Sequence, residues 1–484
     1  MKVYDSFFIG GKWVEPAGAG TVDVISPATE EVVGRVPDAT SADMDRAVAA
    51  AREAFDLGPW PTTAPGERAD ILAAVSAELM ANMDEVADLI TLENGAPNVF
   101  SRMGQVYAAT AVLDYYAGLA REFNFEELRQ GMLGPTLVRR EPVGVAVGII
   151  PWNVPLFITM LKMAPALVSG STIVIKPAPE TPLDGNYLAE ILERTGLPAG
   201  VVNIVPGGRE AGEHLVRHPD VDKVSFTGST LAGRRIGAIC GEQLKRVTLE
   251  LGGKSAAILC DDVNLDDALP LLMPAALMNN GQACVAQTRI LAPRARYGEI
   301  RDALAEAVGN YAVGDPLDPA TECGPLVAER QRDRVEGYIA AGKDEGATLV
   351  VGGGRPEGFD KGWFVEPTLF ADVDNSMKIA QEEIFGPVLS LIAYDNDDDA
   401  VAIANDSDYG LAGTVFTADT NRGIDIARKV RTGTYGVNAM GTMDFGSPFG
   451  GFKASGLGRE LGPEGLAAFL EDKTIVIGSE YNPD

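Results

Sequence analysis

VGVAVGII at 143–150 is a short apolar run rich in β-branched residues. Four more runs of this kind follow it: TIVIK (172–176), VVNIV (201–205), KVSF (223–226) and RVTLEL (246–251). Amphipathic stretches of helical length lie between them, at 156–168, 184–194, 209–216 and 232–240. Strands that alternate with helices in this way predict βαβ units and a doubly wound parallel sheet. Nucleotides bind at the carboxyl ends of the strands in such sheets.

The rest of the chain predicts further elements around this sheet. Residues 1–120 read as mostly helical after an opening strand segment, with helices at 43–55 and 68–92, and a second α/β pattern covers 256–436. Two exposed strands are expected at 134–140 and 473–477, and as edge strands they could pair with each other and with a second subunit. The acidic run at 395–399 is interpreted as a solvated loop.

Composition excludes several classes of protein. A chain of 484 residues with 46% hydrophobic and 23% charged residues is ordinary for a globular protein with two large lobes. A net charge of -29 argues against nucleic-acid and anionic-membrane partners. The N-terminus lacks a signal-peptide pattern and no apolar run is long enough to span a bilayer. Four scattered cysteines fit a reducing cytoplasm.

Two residues suggest covalent chemistry. Cys284 follows small and amide residues in NNGQAC (279–284), after an apolar run of helical length. A thiol on such a rigid element can face a cleft, as a nucleophile must. Glu250 lies in an otherwise apolar strand, where burial should raise its pKa and make it a base near neutral pH. The two histidines, His214 and His218, precede a proline and suggest neither a metal site nor this base.

The turns after the predicted strands offer polar groups to the same edge of the sheet. No G-x-G-x-x-G follows a strand, but Gly228 permits a tight turn and Ser229 or Thr230 can cap the next helix, whose N-terminus would face a pyrophosphate. Lys176 could bond to ribose hydroxyls. Asn153 could stabilise an oxyanion beside the backbone N–H of a nucleophilic cysteine.

Seven segments, taken in order, resemble the aldehyde dehydrogenase superfamily over essentially the whole chain: PWN (151–153), FTGS (226–229), LELGGK (249–254), GQAC (281–284), EEIFGPV (382–388), PFGG (448–451) and SGLGRE (455–460). The resemblance implies an α/β fold with a doubly wound parallel-sheet cofactor domain, a second α/β catalytic domain and a small β oligomerisation flap. The corresponding boundaries are 1–122 with 143–252, then 253–453, and 123–142 with 468–484.

The resemblance also implies a mechanism that makes a carboxylic acid. Cys284 attacks an aldehyde carbonyl as a thiolate, and the Asn153 side chain and the Cys284 backbone N–H hold the oxyanion. After hydride transfer to the nicotinamide a thioester remains, and Glu250 activates the water that hydrolyses it. Glu460 orients Glu250 or relays its protons, and Lys162 contributes to the same relay. No metal is implied.

For the cofactor, the resemblance places Lys176 on the adenosine ribose and Glu383 on the nicotinamide ribose. The other implied cofactor residues are Trp152 and Ser229 at the phosphates, Phe385 near the nicotinamide, and Gly228 and Gly252. Members that prefer NAD often carry a glutamate three residues after the lysine, where this chain has Pro179. NAD is expected, and NADP stays possible.

The implied substrate pocket is apolar. Its residues are Val154, Phe157, Leu161, Ala283, Val285, Met443 and Phe449. They form no aromatic box for a trimethylammonium group and include no cation for a second carboxylate. We therefore expect the substrate to be a small-molecule aldehyde that is apolar and medium to bulky, aromatic or terpenoid-like. From the exposed edge strands we expect a homodimer or homotetramer.

Three alternatives remain beside this interpretation. A coenzyme A-acylating semialdehyde dehydrogenase would pass the thioester to CoA, but such enzymes usually lack the glutamate found here as Glu250. An inactive structural protein, as in some lens crystallins, would not need to retain Cys284, Glu250, Asn153 and Glu383 together. A cofactor-free cysteine hydrolase would lack a plausible histidine base.

Overall fold

The computed structural model describes residues 1–440 and 443–478. Positions 441–442 of the predicted 253–453 segment and 479–484 of the predicted 468–484 segment lie outside the described residues. The strands, in chain order, are β1 (Lys2–Val3), β2 (Phe7–Ile9), β3 (Lys12–Val14), β4 (Thr21–Ile25), β5 (Val32–Pro37), β6 (Glu126–Gly131), β7 (Gly134–Pro142), β8 (Val145–Ile149), β9 (Thr172–Lys176), β10 (Val202–Ile204), β11 (Lys223–Thr227), β12 (Arg246–Glu250), β13 (Ala256–Leu259), β14 (Arg289–Pro293), β15 (Thr348–Val351), β16 (Thr368–Ala371), β17 (Val388–Tyr394), β18 (Tyr409–Gly410), β19 (Gly413–Phe416), β20 (Gly436–Val437), β21 (Phe452–Lys453), β22 (Gly456–Leu457) and β23 (Leu470–Val476).

The helices connect these strands and cover the sheets. They are α1 (Ser41–Asp56), α2 (Pro65–Ala81), α3 (Met83–Asn94), α4 (Asn98–Phe100), α5 (Ala108–Glu122), α6 (Pro155–Ser169), α7 (Leu183–Leu192), α8 (Arg209–Arg217), α9 (Thr230–Gln243), α10 (Leu265–Leu277), α11 (Tyr297–Gly309), α12 (Glu329–Asp344), α13 (Lys378–Gln381), α14 (Asp397–Asn405), α15 (Thr420–Lys429) and α16 (Gly462–Ala467). A π-helical turn, Ser101–Tyr107, joins α4 to α5.

An eight-stranded sheet carries the predicted doubly wound core. Its order is β22-β12-β11-β8-β9-β10-β2-β3, and the five strands from β12 to β10 are parallel. The chain starts in the middle at β8, winds through β9 and β10 to one side, and then crosses back to β11 and β12. The strand order therefore reverses between β8 and β11, which is where such sheets bind ligands. The predicted fold class is confirmed.

A seven-stranded sheet forms the second α/β unit. Its order is β15-β16-β17-β14-β13-β19-β20, and every pair is parallel except β15 with β16. Apolar clusters cover its two faces, as expected for parallel strands buried between helices.

A third, small sheet joins distant parts of the chain. β23 pairs with β7 and β7 with β6, all antiparallel, in the order β23-β7-β6. The predicted strands at 134–140 and 473–477 thus pair with each other. Met132 and Leu133, at the tip of the β6–β7 hairpin, are exposed.

The structure corrects three predictions. The region 68–92 is two helices, because Asn82 leaves the helical conformation (φ −111°, ψ 21°) and its side chain donates to the Glu78 carbonyl. The opening residues contain five strands, of which β2 and β3 extend the eight-stranded sheet. The acidic run at 395–399 starts α14, where Asn396 caps the helix and the aspartates favour its N-terminus.

Helix α6 lies in the interior of the first α/β unit, and all its residues are buried. It packs on the central strands and brings Lys162 into the interior of the first α/β unit. Within 1–440 and 443–478, none of the helices combines the length and the apolar character needed to cross a membrane.

Candidate active site

The loop of residues 278–284, called the nucleophile loop after the predicted role of Cys284, is fixed by its backbone. After α10 a short 3-10 turn, Met278–Gly281, places Asn279 (φ 53°), Asn280 (φ 61°) and Gly281 (φ 71°) in the left-handed region. Asparagine tolerates this conformation better than other non-glycine residues. A Cβ on Gly281 would lie 2.3 Å from the Gly386 backbone, so this position requires glycine and docks the loop against the EEIFGP segment.

Cys284 follows this turn and is partly exposed. Burial of the thiol, together with the nearby carboxylates of Glu383 and Glu250, raises its pKa to about 12. The backbone N–H groups of Cys284 and Val285 act in the opposite direction. A thiol in this state must lose its proton before it can attack.

Asn153 is held directly against the nucleophile loop. It follows β8, is buried, and its Nδ2 donates to the Gln282 carbonyl at 2.8 Å. Its own carbonyl accepts from Asn279 Nδ2 at 2.9 Å and from Asn94 Nδ2 at 3.2 Å. An amide carries two N–H groups, so Asn153 retains one for a substrate oxygen. Asn94 and Asn279 were not predicted from the sequence as site residues.

Glu250 is the last residue of β12 and is 3% exposed. Within the described part of the chain, neither carboxyl oxygen has a hydrogen-bond partner. Burial raises its pKa well above the usual value and Glu460 raises it further, whereas Lys162 and Arg459 lower it. The predicted direction of this shift agrees with the structure. An unpartnered buried carboxyl of this kind is suited to take a proton near neutral pH.

Lys162 and Glu460 form a buried ion pair beside Glu250. Lys162 Nζ lies 2.7 Å from Glu460 Oε1 and 2.7 Å from Thr227 Oγ1. Ser225 Oγ donates to the same Glu460 oxygen at 3.0 Å. Ser225 and Thr227 were missed in the sequence, although two polar residues on alternate positions of a buried strand were a signal.

The other predicted cofactor residues lie along the same edge of the sheet. Lys176 ends β9, and its buried Nζ donates to the carbonyls of Pro177 (2.8 Å) and Gly207 (2.6 Å). Burial lowers the pKa of Lys176 to about 8. Trp152, after β8, meets Phe385 edge to face with the ring centroids 5.2 Å apart.

Two further predicted residues follow β11. Gly228 donates its N–H to the Glu250 carbonyl at 3.0 Å, and Ser229 caps α9 by accepting from Ala232 N–H at 3.3 Å. The N-terminus of α9 therefore lies beside the site with its partial positive charge. β9 and β12 are separated by three strand spacings, roughly 14 Å, so the edge between Lys176 and Glu250 has the length of an extended ligand.

Glu383 connects the second α/β unit to this edge. Its Oε1 accepts from Gly253 N–H at 2.9 Å, and a Cβ on Gly252 would lie 2.5 Å from its Oε2. Burial raises the pKa of Glu383 to about 7, and Gly253 N–H, Arg334 and Lys254 oppose the rise. Gly252 thus makes room for the carboxyl of Glu383.

These groups fit a dinucleotide. The helix N-terminus after Ser229 suits phosphates, and the side chains of Lys176 and Glu383 suit hydroxyl groups near either end.

The predicted pocket residues belong to one hydrophobic cluster. Five are buried (Phe157, Leu161, Ala283, Val285, Phe449), and Val154, Met443 and Cys284 pack against the same cluster. Phe445, which was not predicted, packs there too, and its ring centroid lies 6.3 Å from that of Phe157.

The remaining predicted features lie apart from the site. His214 is on α8 with its Nε2 2.5 Å from Asp45 Oδ1. In the part of the chain that the structure covers, no three His, Cys, Asp or Glu side chains are grouped to hold a metal ion.

Comparisons with known proteins give one family. The model of the aldehyde dehydrogenase family matches residues 13–475. Geranial dehydrogenase of Castellaniella defragrans is 49% identical over 98% of this chain and 99% of its own. An aldehyde dehydrogenase of Mycobacterium tuberculosis, solved with NAD+, is 53% identical with a TM-score of 0.98 over 100% of both chains. An aldehyde dehydrogenase C variant of Pseudomonas syringae, solved with NAD+ and octanal, is 41% identical with a TM-score of 0.95 over 99% of this chain and 98% of that one.

Proposed function

The chain belongs to the aldehyde dehydrogenase family, and we propose that it oxidises an apolar aldehyde to the carboxylic acid with reduction of NAD. The observation that carries this proposal is the placement of Asn153 Nδ2, 2.8 Å from the carbonyl of Gln282, two residues before Cys284. This placement brings the proposed oxyanion donor and nucleophile close together, near the carboxyl of Glu250, which has no hydrogen-bond partner among the described residues.

The first half of the reaction forms a covalent adduct. The Cys284 thiol, which is partly exposed, gives its proton to water, and the thiolate sulfur forms a bond to the aldehyde carbon. The carbonyl oxygen becomes an oxyanion that receives the free amide N–H of Asn153 and the backbone N–H of Cys284. A nicotinamide cofactor, when bound, supplies the two-electron acceptor that turns this adduct into a thioester. Lys176, Ser229 and Glu383 are the residues proposed to hold it.

The second half hydrolyses the thioester. Glu250 takes a proton from a water, the water oxygen bonds to the thioester carbon, and the carbon–sulfur bond breaks to release the acid and the Cys284 thiolate. Glu250 must lose this one proton in each turnover. Glu460 and Lys162, joined at 2.7 Å beside it, are the groups proposed to carry that proton away.

The substrate class follows from the pocket. The residues around Cys284 are apolar, and Phe157 and Phe445 present two rings. Two of the similar proteins support an apolar substrate, since one is a geranial dehydrogenase and another was solved with octanal. A medium to bulky apolar aldehyde, terpenoid-like or aromatic, is therefore the proposed substrate.

An aldehyde panel tests this function. Formation of reduced nicotinamide is measured with geranial, octanal, benzaldehyde, betaine aldehyde and succinic semialdehyde, with NAD and NADP in parallel and without CoA. We expect turnover without CoA and higher kcat/KM for the apolar members. A preference for succinic semialdehyde would contradict the substrate class, and turnover only after CoA is added would favour the acylating alternative.

NAD is the proposed cofactor although Pro179 replaces the expected glutamate. Glu180, one residue later, is close enough to Lys176 to raise its pKa against the effect of burial. It also pairs with Arg330, whose side chain is largely exposed. We propose that the Glu180 carboxylate takes the place of the missing one and repels a 2′-phosphate.

Replacing this carboxylate should relax cofactor choice. Glu180→Gln is expected to raise the NADP/NAD ratio of kcat/KM about tenfold, because a repulsive charge is removed and Arg330 is released to pair with a phosphate. Steady-state kinetics with both cofactors measure the ratio. Glu336→Gln, which breaks a similar exposed pair with Arg355, is the matched control. An unchanged ratio in Glu180→Gln would assign the discrimination elsewhere.

We propose that the protein is cytoplasmic and forms a homodimer or homotetramer through the small sheet of β23, β7 and β6. We also propose the domain boundaries that were predicted from the sequence. The antiparallel pairing of β23 with β7 supports the role of this sheet, since it leaves β6 and the exposed hairpin tip on the surface.

A further inference from the structure

Asn279 contacts both parts of the proposed oxyanion site. Its Nδ2 donates to the backbone carbonyl of Asn153 at 2.9 Å and to the carbonyl of Gln282 at 3.3 Å. The Gln282 carbonyl also accepts the side-chain amide of Asn153. The Asn279 amide therefore connects Asn153, which carries the proposed oxyanion donor, to the Gln282 carbonyl, which orients that donor.

The orientation of the Asn279 amide is determined by its partners. Both are carbonyl oxygens, so the NH2 group must face them, and the opposite orientation would place an oxygen against two oxygens. The residue is 2% exposed and its backbone is left-handed, with φ 53°. Asparagine supplies the donor and tolerates this backbone, and aspartate or glycine supplies only the second property.

Asn280 provides an internal comparison. It has the same side chain, a similar left-handed φ of 61° and no exposure. Its amide, however, donates to the carbonyls of Gly95 and Pro325, at 2.9 and 2.8 Å, and accepts from Gly324 N–H. It therefore holds the loop to the surrounding structure, and among the described residues its side chain makes no hydrogen bond to Asn153.

We propose that Asn279 is a positioning residue that fixes the Asn153 amide relative to Cys284, and that acyl transfer at Cys284 depends on this tether. The inference rests on the proposed roles of Cys284 and Asn153. It concerns only the oxyanion step, so reactions of the thiol that form no oxyanion should not require it. This difference separates positioning of the donor from general support of the loop.

The test compares two reactions of Cys284, neither of which uses the nicotinamide. Hydrolysis of 4-nitrophenyl acetate proceeds through an oxyanion at the acyl carbon, whereas alkylation by iodoacetamide displaces iodide and forms none. Asn279→Gly retains the backbone conformation and removes the amide. We expect its ester kcat/KM to fall about 10- to 100-fold, because a misplaced oxyanion donor loses much of its effect. Its alkylation rate should remain close to that of the wild type.

Asn280→Gly is the matched control, since it removes an equal side chain from an equally strained and buried position. Its thermal unfolding temperature should fall as in Asn279→Gly, while its ratio of ester hydrolysis to alkylation stays near the wild-type value. If both variants change this ratio equally, or if Asn279→Gly hydrolyses the ester at the wild-type rate, the proposal is overturned.

Asn279→Asp covers the case in which the glycine variant does not fold. It preserves the shape of the side chain and the backbone conformation but offers an acceptor where a donor is needed. The same selective loss of ester hydrolysis is therefore expected. A wild-type ratio of ester hydrolysis to alkylation in this variant would overturn the proposal.

Assays of the wild-type protein distinguish a failure of the proposed function from a failure of this inference. If it hydrolyses the ester but reduces no nicotinamide with any aldehyde, the dehydrogenase function fails and the comparison of the two asparagines still decides the role of Asn279.

Discussion

Cys284→Ala is expected to lower the steady-state rate of aldehyde oxidation by at least about 10⁴-fold, because no other group at the site can form the covalent adduct. Asn153 and Glu250 would remain, but each acts on an adduct that alanine cannot form. Formation of reduced nicotinamide measures the rate. Calorimetric titration with NAD should show binding close to that of the wild type, since the thiol is not among the groups proposed to hold the cofactor.

The matched control for this variant is Cys260→Ala. Burial raises the pKa of the Cys260 thiol to about 12, as it does for Cys284, but Cys260 lies at the end of β13 in the core of the second α/β unit. Its replacement should leave the rate nearly unchanged. Near-normal turnover in Cys284→Ala would refute the assignment of the nucleophile.

Glu250→Gln is expected to stop the reaction after the thioester forms. The glutamine keeps the size of the side chain but cannot take a proton from water, so steady-state turnover should fall about 10²- to 10⁴-fold. Rapid mixing of enzyme and aldehyde should then show a burst of reduced nicotinamide, close to one equivalent per site, followed by slow release. A lost burst would mean that Glu250 is already required for the attack by Cys284.

The pH dependence of thioester hydrolysis gives a second test of Glu250 as the general base. Burial and the neighbouring Glu460 raise the pKa of Glu250 well above its usual value. A base acts in its deprotonated form, so the rate of thioester hydrolysis should rise with pH and level off only above this raised pKa. The rise should disappear in Glu250→Gln and persist in Glu242→Gln, which changes an exposed carboxylate on α9. A flat profile in the wild type would contradict a raised pKa for the base.

Much of the first α/β unit could be predicted because its strands are short, apolar and separated by helices. The predicted run at 172–176 coincides with β9, and the strand predicted at 246–251 differs from β12 by one residue. The placement of Asn153 and Lys176 at strand ends followed from the same pattern, since carboxyl ends of parallel strands share one edge. Glu250 was recognisable as an acid in an apolar strand.

The parts that were missed depend on contacts between distant segments. Nothing near Asn94 indicates that its amide reaches the Asn153 carbonyl, and Asn279 read as one of several small and amide residues. The break at Asn82 was hidden because asparagine occurs inside helices as well as at their ends. The roles of Glu383 and Glu460 came only from the family resemblance, because each reaches the site from an element far along the chain.

The segments that complete the candidate site are synthesised late, which matters for chains that are released early. β12 has β22 as its neighbour, with Glu250 opposite Gly456, and the ion partner of Lys162 is Glu460. At roughly 5–20 residues per second, a ribosome needs on the order of 10–40 s to pass from Glu250 to these residues. For most of this interval, once residue 284 has been added, the nascent chain carries Cys284 but lacks Glu460, the partner of Lys162. On the proposed mechanism, a chain released by a ribosome that stalls there would have the thiol but no complete proton relay, and we expect turnover only from chains that extend past Glu460.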